Sequence, residues 1–275
     1  MNINDFYSYR KPGRRISMVT AYDYTMASIA ATSGVDALLV GDSLAMVMHG
    51  MDSTLWATVD VMALHTAAVA RAAGSKLVVA DMPFMSFRKG IRPAMDAAET
   101  LTRAGAGALK LEGADGHEDV IERLVGSGIP VMGHLGLTPQ YVRGLGGYKV
   151  QGRDAAGAAA IKRQALRLQE LGCFALVLEC VPAALAGEAT AALRIPVIGI
   201  GAGPRTDGQV LVMQDLLGLY PKAPSFAKKF ADGRAAVRAA LDAFDSEVKS
   251  GAFPGKGKQD EDHKEDKAVA GAARL

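Results

Sequence analysis

Ala108-Leu109-Lys110-Leu111-Glu112 shows the pattern on which the fold depends: a short apolar run that ends in a residue able to bind a metal or move a proton. Four further runs are built in the same way, and they are Ala37 to Asp42, Lys76 to Asp81, Pro130 to His134 and Ala175 to Glu179. A continuous run rich in leucine and β-branched residues is typical of a buried parallel strand. We therefore interpret the five runs as parallel strands.

Three more runs complete the strand pattern. Ile16 to Ala21 is predicted as the first strand and Pro196 to Gly201 as the seventh, while Val210 to Met213 is either a short eighth strand or the start of a helix. Alanine-rich amphipathic stretches separate the runs, and such alternation is typical of parallel α/β proteins. Seven or eight strand–helix units favour a closed (β/α)8 barrel, the TIM barrel, over an open doubly wound sheet.

The length of the chain agrees with one barrel. The chain has 275 residues, and a (β/α)8 barrel takes about 250. We therefore predict a single barrel domain over residues 1–255. Residues 256–275 mix acidic and basic side chains with very few large apolar ones, and this composition predicts a disordered charged tail.

The composition argues against several classes of function. Hydrophobic residues make up 49% of the chain and the net charge is only +2, which together with the lack of a basic stripe predicts a globular protein with no nucleic-acid partner. No apolar stretch reaches the roughly 20 residues that cross a bilayer, and the N-terminus carries no signal pattern. Cys173 and Cys180 lack metal-site spacing, which predicts reduced thiols. Together these features predict a cytoplasmic protein without a membrane segment.

Three acids end consecutive predicted strands, namely Asp42, Asp81 and Glu112. The carboxyl ends of all strands in a parallel barrel meet at the face where active sites lie. Neighbouring strands are about 4.8 Å apart, so the three carboxylates would raise one another's pKa unless a cation lay between them. A hard divalent ion such as Mg²⁺ suits oxygen ligands, and a zinc site would call for Cys or clustered His. Each acid alone could equally cap a helix or a turn.

Further polar residues fall at the same predicted face. Lys110 shares a strand face with Glu112, so it could hold a substrate carboxylate, form a Schiff base or make a structural salt bridge. Glu179 lies across the barrel and could accept a proton or form an ion pair. His134 could polarise a substrate or be structural, and Ser43 could bind substrate through its hydroxyl or its backbone N–H.

Two long connections follow predicted strands, residues 41–58 and residues 135–153, and the second contains the glycine-rich segment 144–153. Long glycine-rich loops on the active face of a barrel are candidate lids. Their composition fits an ordinary flexible loop equally well.

Several motifs extend around these residues. They are Thr20-Ala21-Tyr22-Asp23, Val40-Gly41-Asp42-Ser43-Leu44, Asp52-Ser53-Thr54-Leu55, Ala80-Asp81-Met82-Pro83-Phe84-Met85, Lys110-Leu111-Glu112-Gly113, Gly133-His134-Leu135-Gly136-Leu137-Thr138-Pro139-Gln140, Leu178-Glu179-Cys180-Val181-Pro182 and Thr206-Asp207-Gly208-Gln209. With these motifs the chain resembles the ketopantoate (3-methyl-2-oxobutanoate) hydroxymethyltransferase family over about residues 5–255. The loop after strand two departs from that family's usual residues at Ala45, Met51 and Trp56.

The resemblance implies a barrel of the phosphoenolpyruvate/pyruvate type. It implies transfer of a hydroxymethyl group from 5,10-methylenetetrahydrofolate to the 2-oxo acid 3-methyl-2-oxobutanoate, through an enolate stabilised by Mg²⁺, to give 2-dehydropantoate. This is the first committed step toward pantothenate and coenzyme A. The resemblance further implies a large homo-oligomer, often a decamer.

The resemblance also assigns roles at the site. Asp42, Asp81 and Glu112 are expected to hold Mg²⁺ directly or through water. The keto acid is expected to contact Asp42, Ser43, Asp81 and Lys110.

Glu179 is expected to accept the proton, and His134 receives no role. Two other interpretations stay open from the residues themselves. One is a Mg²⁺-dependent 2-oxo acid lyase or aldolase on the same barrel, and the other is an inactive barrel that serves as a binding subunit.

Overall fold

The computed structural model describes residues 3–8 and 14–255. Within these residues the strands are β1 (Ile16–Thr20), β2 (Ala37–Val40), β3 (Leu77–Asp81), β4 (Ala108–Glu112), β5 (Val131–Gly136), β6 (Ala175–Glu179), β7 (Val197–Ile200) and β8 (Gly208–Leu211). The helices are α1 (Ile3–Ser8), α2 (Tyr24–Thr32), α3 (Leu44–Val47), α4 (Val59–Ala72), α5 (Ile91–Arg103), α6 (Glu118–Gly126), α7 (Ala155–Glu170), α8 (Ala183–Ala192), α9 (Met213–Leu216) and α10 (Gly233–Ser250), with 3₁₀ turns at Thr54–Trp56 and Pro139–Tyr141.

The strands form one closed parallel barrel in chain order, and β1 pairs with β8 to close it. This confirms the predicted (β/α)8 TIM barrel. The register sets Glu112 of β4 beside His134 of β5, and Gly136 of β5 beside Glu179 of β6. The strand ends that carry polar residues are therefore neighbours around one rim.

The predicted bounds of the eighth strand were wrong. The strand begins earlier, at Gly208, and ends at Leu211, while Met213 opens helix α9. The backbone N–H of Met213 donates to Thr20 Oγ1 at 3.0 Å and so does not pair with the backbone of β1. This hydrogen bond joins the start of α9 to the end of β1.

Two apolar layers fill the space on either side of the barrel wall. Leu109 and Leu111 of β4 point outward into the layer shared with the surrounding helices. Ala108, on the opposite face, lies in the inner layer with Phe6 of α1, whose ring meets Phe174 edge to face at a centroid distance of 5.4 Å. Period-two alternation therefore places Lys110 and Glu112 on the inner face with Ala108.

Helix α10 buries none of its residues. It exposes an apolar face made of Val237, Leu241, Phe244 and Val248. The predicted tail, residues 256–275, lies outside the described residues, and the predicted domain boundary at residue 255 stays a prediction.

The cysteines agree with the expectation of reduced thiols. Cys173 and Cys180 are both free, and Cys173 is buried. Burial raises the pKa of the Cys173 thiol to about 12. Over the described residues, no helix has the length and apolar character that a bilayer-crossing segment needs.

Candidate active site

A cavity of about 100 Å³ opens at the carboxyl ends of the strands. All seven residues singled out from the sequence line it, namely Asp42, Ser43, Asp81, Lys110, Glu112, His134 and Glu179. The structure therefore brings these residues together as predicted, because each lies within or just after a strand and on the side that faces the barrel interior.

Three carboxylates crowd one side of the cavity. Asp42, Asp81 and Glu112 are all buried, and the backbone N–H of Asp42 donates to Asp81 Oδ2 at 3.0 Å. Burial raises the pKa of Asp42 well above its usual range, and the charges of Asp81 and Glu112 raise it further. Burial also raises the pKa of Asp81, despite the opposing ammonium of Lys110. The cluster is therefore short of positive charge.

Gly41 lets the chain just after β2, which carries Asp42, lie close to the carboxylate of Asp81. A side chain there would place its Cβ 2.8 Å from Ser43 Oγ and 3.6 Å from Asp81 Oδ2. The bare backbone lets the β2 end lie directly against the Asp81 carboxylate.

Lys110 is the cation at the centre of the cluster. Its Nζ lies 3.0 Å from Asp81 Oδ1 and 3.1 Å from His134 Nδ1. Burial alone would lower the pKa of Lys110, but the carboxylates of Asp81 and Glu112 outweigh it and raise that pKa above its ordinary value. Lys110 is therefore a charged ammonium, which is the form that binds a carboxylate.

His134 connects this cluster to the far side of the cavity. Its Nδ1 lies 3.5 Å from Glu112 Oε1 and its Nε2 lies 3.2 Å from Glu179 Oε2. An ammonium only donates, so in the neutral ring Nδ1 accepts from Lys110 and the proton sits on Nε2. Nε2 is within ion-pair distance of Glu179 but makes no hydrogen bond of good geometry. Burial and Lys110 lower the pKa of His134, but the nearby carboxylates of Glu112 and Glu179 outweigh them and raise it overall. His134 received no role from the sequence, and the structure places it between Glu112 and Glu179.

Two residues that received no role from the sequence also belong to the site. Tyr22 shares a hydrogen bond of 2.8 Å with Ser43 Oγ, and so it fixes the hydroxyl that faces the cavity. The Gln140 side chain donates to Asp42 Oδ2 at 2.8 Å. Both residues stand in the quoted motifs, but neither ends an apolar run, which was the signal used to select candidates.

The two candidate lid loops meet above the barrel. Tyr148 Oη, in the second loop, donates to Met46 Sδ, in the first, at 3.8 Å. The backbone N–H of Gln151 donates to Cys180 O at 2.9 Å, next to Glu179. Opening and closing of these loops stays a prediction.

The carboxylates of Asp42, Asp81 and Glu112 offer only oxygen atoms as metal ligands, and they do not form a preformed metal site. Among the residues that the structure describes, no three His, Cys, Asp or Glu side chains are arranged to enclose a metal ion. Both Asp81 oxygens already face donors, one from Lys110 and one from the backbone of Asp42. The cluster could therefore give a metal ion single carboxylate oxygens, and the cavity leaves space for the other ligands of that ion.

Gly136 is required where β5 passes the end of β6. Its φ is +93° and an added Cβ would lie 2.2 Å from the backbone oxygen of Glu179. We expect Gly136→Ala to lower the free energy of unfolding by about 2–5 kcal/mol, because it adds a backbone clash to the cost of a positive φ. Urea unfolding followed by circular dichroism measures this.

Gly116→Ala is the matched control for that variant. Gly116 also has a positive φ, +84°, but an added Cβ meets nothing within 4 Å. Its expected loss is about 1–2 kcal/mol. Equal losses in the two variants would contradict the proposed clash at Glu179.

Comparison with known proteins places the chain in a family. The profile described as "Ketopantoate hydroxymethyltransferase" matches residues 1–256. The chain belongs to this family. A 3-methyl-2-oxobutanoate hydroxymethyltransferase from Coxiella burnetii is 54% identical over 256 residues, covering 92% of this chain and 96% of its own length. One from Pyrobaculum calidifontis is 51% identical, covering 89% and 92%. The ketopantoate hydroxymethyltransferase resemblance found in the sequence is thereby confirmed.

Solved structures with the same fold are more distant relatives. A phosphonopyruvate hydrolase in complex with oxalate and Mg²⁺ aligns with a TM-score of 0.61 at 13% identity, covering 91% of this chain and 88% of that one. A 2,3-dimethylmalate lyase of the PEP mutase/isocitrate lyase superfamily aligns with a TM-score of 0.61 at 17% identity, covering 94% and 88%. These likenesses support the predicted barrel type for this ketopantoate hydroxymethyltransferase family member and concern its fold alone.

Proposed function

We propose that this chain transfers a hydroxymethyl group from 5,10-methylenetetrahydrofolate to 3-methyl-2-oxobutanoate, forming 2-dehydropantoate in the first committed step of pantothenate biosynthesis. Membership of the family supports the reaction. The observation that carries the mechanism is the division of charge in the cavity. Asp42, Asp81 and Glu112 surround Lys110, while Glu179 is connected to this cluster through His134.

We propose that the acid cluster holds Mg²⁺. Three buried carboxylates face one lysine, which leaves negative charge that a divalent cation would offset. Mg²⁺ commonly takes one or two carboxylates and keeps water or substrate oxygens as its other ligands, which suits a cluster without a three-sided cage. Asp42, Asp81 and Glu112 would hold it, some of them through water. When bound, the ion supplies Lewis-acid stabilisation of the negative charge that develops on the keto oxygen.

The keto acid has partners on the same side of the cavity. Lys110 is buried and charged, and its ammonium would offset the substrate carboxylate. Ser43 presents a hydroxyl that Tyr22 holds in place. We assign substrate binding to these two residues together with Asp42 and Asp81. A Schiff base at Lys110 is not needed, because charge on the substrate is stabilised without one.

Glu179 is assigned as the base that removes the C3 proton of the keto acid. Its side chain is 18% exposed, unlike the buried acids of the cluster, so it borders the open part of the cavity. His134 Nε2 lies 3.2 Å from Oε2 and is the charged partner of the carboxylate when the ring is protonated. The carbon that loses the proton then bonds to the one-carbon unit of the folate. Both bonds from that unit to folate nitrogens break, water supplies the oxygen of the new hydroxyl group, and tetrahydrofolate leaves.

A product assay tests the reaction directly. Purified protein is incubated with 3-methyl-2-oxobutanoate, with and without methylenetetrahydrofolate, in Mg²⁺ or in EDTA. The proposal expects 2-dehydropantoate only when folate and Mg²⁺ are both present. A lyase would consume a 2-oxo acid without folate. The transferase name of the relatives at 51–54% identity favours transfer over the lyase interpretation.

We also propose that the chain forms a homo-oligomer, with a decamer expected from its family. The exposed apolar face of α10, made of Val237, Leu241, Phe244 and Val248, supports association of copies. Light scattering coupled to gel filtration measures the state. The cytoplasmic location of the protein and the lack of a nucleic-acid partner stay predictions.

A further inference from the structure

Gln140 touches the ends of three acid-bearing strands at once. It lies buried in the turn Pro139–Tyr141, just after β5. Its backbone N–H donates to Glu112 Oε2 at 3.0 Å. Its side-chain Nε2 donates to Asp42 Oδ2 at 2.8 Å and to Met82 O at 3.0 Å, and Met82 directly follows Asp81.

The contacts fix the orientation of the Gln140 amide. The NH₂ group has two hydrogens, and its two acceptors, Asp42 Oδ2 and Met82 O, use both. A flipped amide would set Oε1 against a carboxylate and a carbonyl, which are two acceptors. Both donors are therefore committed, and the side chain has one stable orientation.

A neutral donor has a particular value at this position. A lysine or arginine would orient Asp42 as well, but it would also cancel the charge of that carboxylate. The amide makes a charge-assisted hydrogen bond to Asp42 and leaves its negative charge in place. Asp81 already has a charged partner in Lys110, at 3.0 Å. Asp42 therefore has a neutral donor, while Asp81 has a cation.

We propose that Gln140 is a positioning residue that holds the Asp42 and Glu112 carboxylates facing the cavity, ready for a divalent cation, and anchors the start of the 139–153 loop to them. This inference rests on the proposed function of the acid cluster. Gln140 acts through Asp42 and Glu112 and need not touch the substrate.

Gln140→Met tests the proposal. Methionine is unbranched and of similar size, it has no donor, and it keeps the backbone N–H that serves Glu112. We expect the Mg²⁺ dissociation constant, measured by calorimetry without substrate, to rise by about 10–100-fold, as for other residues that orient metal ligands. The rate of C3 proton exchange at saturating Mg²⁺ is expected to stay within severalfold of wild type.

Gln151→Met is the matched control, because it makes the same substitution in the same loop. Within the part of the chain that the structure describes, Gln151 Nε2 donates to Lys149 O in the same loop at 2.9 Å and not to an acid of the cluster, so Mg²⁺ affinity should not change. Gln140→Asn, one methylene shorter, serves if the methionine variant does not fold, and it should weaken Mg²⁺ binding in the same way.

Two results would overturn the assignment of Gln140. One is an unchanged Mg²⁺ affinity in a folded Gln140 variant, and the other is an equal loss in Gln151→Met. Calorimetry needs no substrate, so it decides this point separately from the reaction. Wild-type protein that binds Mg²⁺ but forms no product overturns the proposed function and leaves the Gln140 result standing.

Discussion

Glu179→Gln is expected to lower Mg²⁺-dependent exchange of the C3 proton of 3-methyl-2-oxobutanoate by about 10²–10⁴-fold, the usual contribution of a positioned base. Glutamine keeps the size of the side chain and an oxygen beside His134, but it cannot accept the proton. Keto-acid binding should change little, because substrate binding is assigned to Ser43, Lys110 and the acids beside them, not to Glu179. Deuterium exchange followed by NMR measures the rate, and calorimetry measures binding.

Glu188→Gln is a suitable control for the base. Glu188 lies on α8, where its exposed carboxylate pairs with Lys162 at 3.1 Å. The Glu188→Gln protein should exchange the C3 proton at the wild-type rate. A Glu179→Gln protein that exchanges the proton at the wild-type rate would remove Glu179 from the role.

Lys110→Met is expected to lower the free energy of unfolding by about 3–5 kcal/mol in EDTA, because it leaves buried carboxylates without their cation. The nearest of these, Asp81 Oδ1, is 3.0 Å away and almost fully buried. The folded-state pKa of Lys110 is raised, so its contribution is fully present below the unfolded pKa of about 10.4 and is lost only as pH rises through the higher folded value. A measurement at pH 7 captures the whole effect.

Lys162→Met gives the comparison for an exposed pair. Lys162 and Glu188 are 44% and 61% exposed, and such pairs contribute about 0–1 kcal/mol. Urea unfolding of both variants measures the difference. A loss at Lys110 no larger than that at Lys162 would show that the cluster does not depend on the lysine for its charge balance.

The barrel and the convergence of the acids were predictable for one physical reason. Runs that are buried on both faces are apolar throughout, so a polar residue at the end of such a run stands out. Asp42, Asp81, Glu112 and Glu179 were found in this way, and the parallel topology places all strand ends at one rim.

The contacts of His134 and Gln140 were not predictable. The role of His134 depends on the register that sets it beside Glu112. Gln140 lies in a turn, where no periodicity reports the direction of a side chain, and its partner Asp42 is distant in the chain. The end of β8 was misplaced because Met213, two residues past the strand, donates its backbone N–H to the Thr20 side chain, a contact that no local pattern predicts.

The pairing of β1 with β8 has a consequence for the synthesis of the chain. Ribosomes add about 5–20 residues per second, so about 10–40 s pass between the emergence of residue 20 and that of residue 211. During this interval the β1 edge that β8 later covers has no partner, and an open edge of this kind invites pairing with other chains. The nascent protein therefore depends on protection of its first strand, by chaperones or by its own early helices, until nearly the whole barrel has been translated.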